Sequence, residues 1–375
     1  MTDVIRVSAD DPDPAAIARA GDCLRRGGLV AFPTETVYGL GVNALDRAAV
    51  QRLFAAKQRP ASDPLIVHVG SFESIAPLVS HVPQGARRLA EHFWPGPLTL
   101  VFPRSAQVPG EVTAGLPSVA VRVPAHPVAR ALIHAAAVPV AAPSANLFSR
   151  PSPTQASHVI DDLDGLIDLV VDGGPTAIGL ESTVVDLTSD PPVVLRPGAV
   201  TIEMLQQVIH VQMLKGFGTR DSERGTRDGD REIDVSTEGS PSAGPVRLPS
   251  PGMLEKHYSP RATLTLYEGE AHSALESLLR AARAALAEQK SVGVIAAEED
   301  RPAFEPLESR DTLFLRLIGS RDEPAAVASR LYTTMRELDA AGADVILVHG
   351  FPDHGLWAAV QDRLRRAAAG RIVRK

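Results

Sequence analysis

The sequence predicts an α/β protein of two units in series: a larger one around a twisted mixed sheet, a long polar linker, and a smaller one around a parallel sheet. Three observations predict it. The chain has 375 residues, more than the ~100–200 of a usual single domain. Apolar runs of strand length alternate with amphipathic helical stretches, irregularly in the first half and regularly near the end. Between them, Gly216, Gly218, Gly225, Gly229, Gly239 and Gly244 stand among charges and serines with almost no apolar periodicity, which predicts a solvated, poorly ordered linker over 215–244.

The elements follow in order. Pro14 opens a helix that stacks Ile17, Ala20 and Leu24 and stops at Gly27-Gly28, ahead of a strand at 29–32. A helix over 47–57 obeys the same logic. Apolar runs predict strands at 65–69, 98–102, 119–123, 138–142, 166–171, 183–187 and 193–195, with helices near 84–93 and 126–136. A helix over 202–210, Leu205 and Ile209 facing inward, closes this unit. Beyond Ala262 come strands at 264–267, 292–296, 313–317 and 345–349 and helices at 272–289, 324–341 and 356–369. That alternation is Rossmann-like, but it carries no Gly-x-Gly-x-x-Gly turn to support a dinucleotide. The expected division is 1–210, a linker over 211–262, and 263–375.

Composition narrows the function. Hydrophobic residues make up 44 % and charged residues 22 %, which excludes wholesale disorder, collagen and coiled coil. Lys and Arg number 38 against 45 Asp and Glu, a net charge of −7, so no global positive field draws polyanions. The single cysteine, Cys23, excludes an internal disulfide and a Cys-based zinc cage and fits a reducing, cytoplasmic setting. The stretch before Asp13 lacks the basic start and apolar core of a signal peptide. Residues 131–149 are broken by Pro139, Pro143 and Asn146, so no membrane crossing is expected there.

Several polar residues stand where apolar ones belong. Val50, Leu53 and Phe54 form the apolar stripe of helix 47–57, and a seven-residue step from Val50 lands on Lys57. Lys57 therefore either snorkels at a helix C-terminus or meets an anion. Arg59 follows on the stiff turn Arg59-Pro60-Ala61-Ser62-Asp63-Pro64, and two cations on one fixed loop suit phosphate. His68 faces opposite to Val67 and Val69, as a satisfied core histidine or as a polar group in a cavity. Arg122 shares a strand face with Ala120, so its guanidinium requires a carboxylate or a phosphate, and both readings stand. Ser144 and Asn146 follow a strand's carboxyl end, where α/β sheets bind ligands, although such residues also shape turns. Thr34, Glu35 and Thr36, and Ser182 and Thr183, add polar groups in comparable places. Together they describe an anion- and hydroxyl-lined cavity without a P-loop, a nucleophile elbow or paired metal-spaced histidines.

These residues lie in Pro33-Thr34-Glu35-Thr36-Val37-Tyr38-Gly39-Leu40-Gly41, Lys57-Gln58-Arg59-Pro60, Pro64-Leu65-Ile66-Val67-His68-Val69, Trp94-Pro95-Gly96-Pro97-Leu98-Thr99 and Ala142-Pro143-Ser144-Ala145-Asn146. The set resembles the YrdC/Sua5 family of L-threonylcarbamoyladenylate synthases. The resemblance continues through 179–183 and Leu195-Arg196-Pro197-Gly198, then through Pro251-Gly252-Met253 and His257-Tyr258-Ser259-Pro260, which resemble the linker of the long form. It implies a YrdC-like catalytic domain, a C-terminal Rossmann-like Sua5 domain, and the joining of L-threonine, bicarbonate or CO2, and ATP into threonylcarbamoyl-AMP with release of pyrophosphate. The product would pass to a separate transferase system that modifies adenosine 37 of tRNA.

Carried over by position, the resemblance gives Lys57, Arg59, Ser118, Ser144, Asn146, Ser152 and Arg196 to ATP, with Lys57 and Arg59 as the catalytic cations. It gives Thr34, His68, Arg122, Ala142 (by its backbone) and Ser182 to threonine. Tyr258 would close over the nucleotide, and Mg2+ would accompany the phosphates with no protein metal site. Glu35 is a tempting general base that the family pattern does not settle. Two other readings remain open. One is an RNA-binding or nucleotide-binding regulatory module of the same fold, against whose RNA form the net charge of −7 weighs. The other is a carbamoyltransferase of hydrogenase maturation, whose Cys-rich zinc motifs one cysteine cannot supply.

Overall fold

The computed structural model of the chain describes residues 1–214, 257–307 and 310–375. The first unit holds strands β1 (Asp3–Arg6), β2 (Val30–Pro33), β3 (Tyr38–Asn43), β4 (Ile66–His68), β5 (Leu98–Pro103), β6 (Ser118–Arg122), β7 (Val140–Ala141), β8 (Leu169–Asp172), β9 (Thr183–Asp186), β10 (Val193–Arg196) and β11 (Gln212–Met213). They form one mixed sheet in the order β1-β8-β2-β3-β7-β4-β6-β5-β9-β10-β11. Helices α1 (Pro14–Arg25), α2 (Arg47–Lys57), α3 (Ala86–Phe93), α4 (Pro127–Ala136), α5 (Ala156–Leu163) and α6 (Ile202–Gln206) cover its faces.

The apolar spacing explains the layers. Ile17, Ala20 and Leu24 of α1 and Val128, Leu132 and Ile133 of α4 bury one face against Val30, Phe32 and Val140. At Gly21 a Cβ would stand 2.8 Å from the Ala135 carbonyl carbon, so the missing side chain sets how closely the two helices pack. The opposite face carries the larger core, where Val50 and Leu53 of α2 meet Leu40, Val67 and Val121.

The second unit is a parallel sheet in the order β14-β13-β15-β12-β16, from β12 (Thr263–Glu268), β13 (Val292–Ala296), β14 (Leu313–Leu317), β15 (Val345–His349) and β16 (Ile372–Arg374). Helix α7 (Ala271–Ala287) and the short α8 (Arg301–Phe304) lie on one face, and α9 (Pro324–Ala340) and α10 (Gly355–Ala368) on the other. The two units share apolar surface: Val37 and Leu180 of the first are buried with Leu331, Tyr332 and Trp357 of the second. Gly179 has φ +76°, and a Cβ there would fall 2.5 Å from the Ser329 Cα, so this turn can hold glycine and little else.

Some expectations change. The strand expected over 138–142 pairs only at Val140–Ala141, because Pro139 and Pro143 on either side have no N–H to donate. The helix expected over 202–210 ends at Gln206, and β11 then pairs in parallel with Val193 and Val194, so the first sheet runs past residue 210. Strands β1, β3 and β16 and helix α5 were not anticipated; β1 is mostly exposed and is defined by its pairing with β8. The expected disorder over 215–244 and Pro251-Gly252-Met253 lie outside the described residues. Among the described residues no helix is long and apolar enough to cross a membrane.

Candidate active site

A cavity of about 50 Å³ lies where several elements of the large sheet end. Thr34, Thr36 and Val37 reach it from the turn after β2, Arg59 and Pro64 from the loop after α2, and His68 and Arg122 from the ends of β4 and β6. Ala142, Pro143 and Ser144 follow β7, Glu181 and Ser182 precede β9, Arg196 ends β10, and His257 and Tyr258 arrive from the segment ahead of the second unit. Of the anticipated residues, Thr34, Arg59, His68, Arg122, Ala142, Ser144, Ser182, Arg196 and Tyr258 therefore share one cavity.

Strand pairing accounts for its centre. β4 and β6 run parallel with His68 opposite Arg122, so the two side chains stand together on one face. Arg122 Nε donates to the Gly96 carbonyl at 3.1 Å, Nη1 to the Thr36 hydroxyl at 2.9 Å, and Nη2 lies 2.7 Å from Glu35 Oε1. Glu35 thus sits behind Arg122. Burial would raise its carboxyl, but Arg122 holds it below the usual range, which makes it a poor proton acceptor and a good anchor. Thr34 spends its hydroxyl on the Val37 carbonyl at 2.7 Å, closing the turn that presents Thr36.

Burial, with Arg122 beside it, pushes the His68 imidazole down to about 3; Glu35 opposes the shift. The ring is neutral near pH 7. Its folded pKa lies below that of the unfolded chain, so the unfolded state takes up the proton first, and the stability held above pH 6.5 is lost progressively down to about 3. Lowering the pH from 7 to 5 is expected to cost on the order of 2 kcal/mol through this ring. Urea titrations of the parent and of His68→Gln at both pH values measure it: the variant loses less, and an equal loss in both sinks the assignment.

Arg59 is nearly buried and bonds to its own loop: Nη2 is 2.9 Å from Asp63 Oδ2 and donates to the Pro64 carbonyl at 2.8 Å, and Nε donates to the Asp63 carbonyl at 3.2 Å. On the opposite wall, Arg196 Nε donates to the Ser182 carbonyl at 3.1 Å and Nη2 to the Ser182 hydroxyl at 3.2 Å. Arg59, Arg122 and Arg196 line the same cavity, whereas the expected cation Lys57 does not, and Arg59 and Arg122 each bring a buried acid.

Four anticipated residues do not line the cavity. Lys57 ends α2 with its side chain 1 % exposed, and Nζ donates to the Ser144 and Asn146 carbonyls at 2.5 Å each. Burial, then Arg59, pushes its ammonium well below the usual range. It ties down the loop after β7 rather than facing the cavity. Asn146 donates to the Leu147 and Arg150 carbonyls, shaping the same loop. Ser152 donates to Glu181 Oε1 at 2.5 Å, one step behind the lining. Ser118 begins β6, four residues and roughly 13 Å from Arg122 along the strand.

Glu181 was missed, because its polar partners are remote in sequence. Three buried polar atoms of lining residues, His68 Nδ1, His257 Nδ1 and Tyr258 OH, have no hydrogen-bond partner. Such groups are rare in folded proteins and mark a place prepared for a ligand or water.

A family model described as "Telomere recombination" (Sua5, YciO, YrdC) matches residues 22–198. A second, described as "Threonylcarbamoyl-AMP synthase, C-terminal domain", matches 200–369. The chain belongs to the Sua5 family. Within it, the chain is 42 % identical to the threonylcarbamoyl-AMP synthase of Pyrococcus abyssi, over 95 % of this chain and 94 % of that one. It is 40 % identical to that of Bacillus subtilis, over 98 % and 96 %. The solved structure of P. abyssi Sua5 complexed with L-threonine superposes with a TM-score of 0.85 at 40 % identity, covering both chains entirely. The Sua5 fold of two α/β units is thus shared from end to end.

Proposed function

We propose that the chain makes threonylcarbamoyl-AMP from L-threonine, bicarbonate or CO2, and ATP, and releases pyrophosphate. What supports this reading, beside membership of the Sua5 family, is one observation: three arginines and three unpartnered buried polar atoms belong to residues that line a single cavity. In this reading His68, Arg122 and Ser182 hold threonine, with its carboxylate at Arg122. Arg59 and Arg196 face the phosphates.

The chemistry needs positioning more than a protein nucleophile. Threonine's amine adds to CO2 and loses a proton to give a carbamate, which is a weak nucleophile and unstable in water. A carbamate oxygen attacks the α-phosphorus, and the bond from that phosphorus to the bridging oxygen breaks, releasing pyrophosphate. In this proposal, closure of the segment around Tyr258 keeps water from the carbamate. Arg59 and Arg196 take up charge as it builds on the leaving pyrophosphate. Glu35, anchored to Arg122, is not assigned as a base.

Mg2+ bound to protein side chains does not fit. Among the described residues no group of three or more His, Cys, Asp or Glu could hold a metal. Glu181, the carboxylate among the lining residues, is already bound by Ser152, Tyr332 and Arg363. Mg2+ enters this proposal as part of the nucleotide substrate, and no step is routed through it.

ATP does not fit about 50 Å³ of space, against the ~300–1,000 Å³ of ordinary ligand pockets. Tyr258 is 1 % exposed with φ +60°, and its neighbour Ser259 is held by its N–H on the Ser149 carbonyl at 2.7 Å and its hydroxyl on the Ala367 carbonyl at 3.1 Å. In this proposal the segment around Tyr258 swings away to admit the nucleotide and returns over it. Tyr258→Ala is expected to weaken nucleotide binding about tenfold and to slow turnover. Unchanged values for both would defeat the lid. The wider test is pyrophosphate release: it must require threonine and bicarbonate together, and ATP cleavage indifferent to both overturns the function.

A further inference from the structure

The cavity wall contains a carboxylate with two partners in the other unit. Glu181 precedes β9 in the first unit and is 7 % exposed. Its Oε1 accepts from Ser152 at 2.5 Å, and its Oε2 accepts from the Tyr332 hydroxyl of α9 at 3.0 Å and from Arg363 Nε of α10 at 2.8 Å. Arg363 is fully buried, reaches the Glu181 carbonyl through Nη2 at 3.4 Å, and bonds Asp362 at 2.6 Å through Nη1. Its guanidinium carbon also lies 5.5 Å from the centre of the Tyr258 ring. One side chain of the second unit therefore touches both a wall of the cavity and the residue that covers it.

The electrostatic reason is direct. A binding site for a triphosphate cannot tolerate an uncompensated carboxylate in its wall, because like charges in a low-dielectric space repel strongly. Burial would raise the Glu181 carboxyl, yet Arg363 and then Arg196 hold it below the ordinary range, so the group is ionised. Its backbone leads straight into Ser182, which orients Arg196 and bonds the Thr99 hydroxyl at 2.8 Å. A shift of Glu181 moves Ser182 and Arg196 with it.

We propose that Arg363, helped by Tyr332, is a positioning residue for the nucleotide side of the cavity: it neutralises Glu181 and fixes Ser152, Ser182 and Arg196 through it, making the second unit a working part of the active site. The inference rests on the function proposed above and adds to it a role for the second unit's charge.

The test is a double-mutant cycle in the full-length chain. Arg363→Met exposes the phosphates to the charge of Glu181 and is expected to raise the KM for ATP about tenfold, with a smaller change for threonine. Adding Glu181→Gln removes that charge, so the double variant recovers to within about threefold of Glu181→Gln alone. A purely structural role would move both substrates and kcat together, and the two effects would multiply; that result overturns the proposal. Should Arg363→Met fail to fold, Tyr332→Phe loses one hydroxyl, and its KM for ATP is expected to rise about threefold; no rise in a folded variant also overturns it. Titration of a non-hydrolysable ATP analogue reads the same coupling without chemistry. A parent chain that binds the analogue but makes no threonine-dependent pyrophosphate would sink the proposed function and leave this measurement intact.

Discussion

Arg59→Met is expected to reduce kcat/KM for ATP by ~100- to 1000-fold, the usual cost of losing a charged donor that acts on developing negative charge. It is also expected to destabilise the fold, because the fully buried Asp63 carboxylate loses its guanidinium partner at 2.9 Å. The two effects can be separated. Arg59→Met combined with Asp63→Asn removes both charges, so urea denaturation should show much of the stability restored while pyrophosphate release stays low. If the double variant recovers both, Arg59 is a structural ion-pair partner and phosphate recognition lies elsewhere.

Lys57→Met should also abolish most activity, by another route. Methionine fills the space of the aliphatic stem but leaves the Ser144 and Asn146 carbonyls without the donor they share. Each unsatisfied buried acceptor costs about 1–3 kcal/mol. The loop carrying Ala142, Pro143 and Ser144 into the cavity should then lose its fixed position, and kcat/KM is expected to fall about 100-fold, since misplacement of roughly 1 Å costs that much. Hydrogen exchange gives the matching signature: amides of residues 144–148 should lose protection more than those of the β2–β3 hairpin. Unchanged protection with lost activity would mean that the ammonium acts on substrate directly.

How much of this was legible in the sequence differs by residue. The burial of Lys57 followed from a seven-residue step along an apolar stripe, but its partners did not, since two backbone carbonyls of a distant loop carry no sequence signal. Arg122 was visible as a cation on a strand face. Its acid, Glu35, was legible only as a candidate base, because the contact depends on how β2 and β6 are placed in a sheet whose order skips through the chain. Asp63 lay within four residues of Arg59, yet in a proline-bounded loop no helical spacing places the two side chains together. Glu181 was hidden most deeply, because Arg363 stands 182 residues away in the other unit. The regular alternation after Ala262 was easy to read: parallel strands buried on both faces are continuous apolar runs. The edge strands β1 and β16 lack that signature.

The contact at Gly179 ties the packing of the two units together. A single methyl added there, two residues along the chain from Glu181, would meet main-chain atoms of α9 at Ala328 and Ser329. An absent carbon on one side of the seam thus sets how closely a helix on the other side can approach.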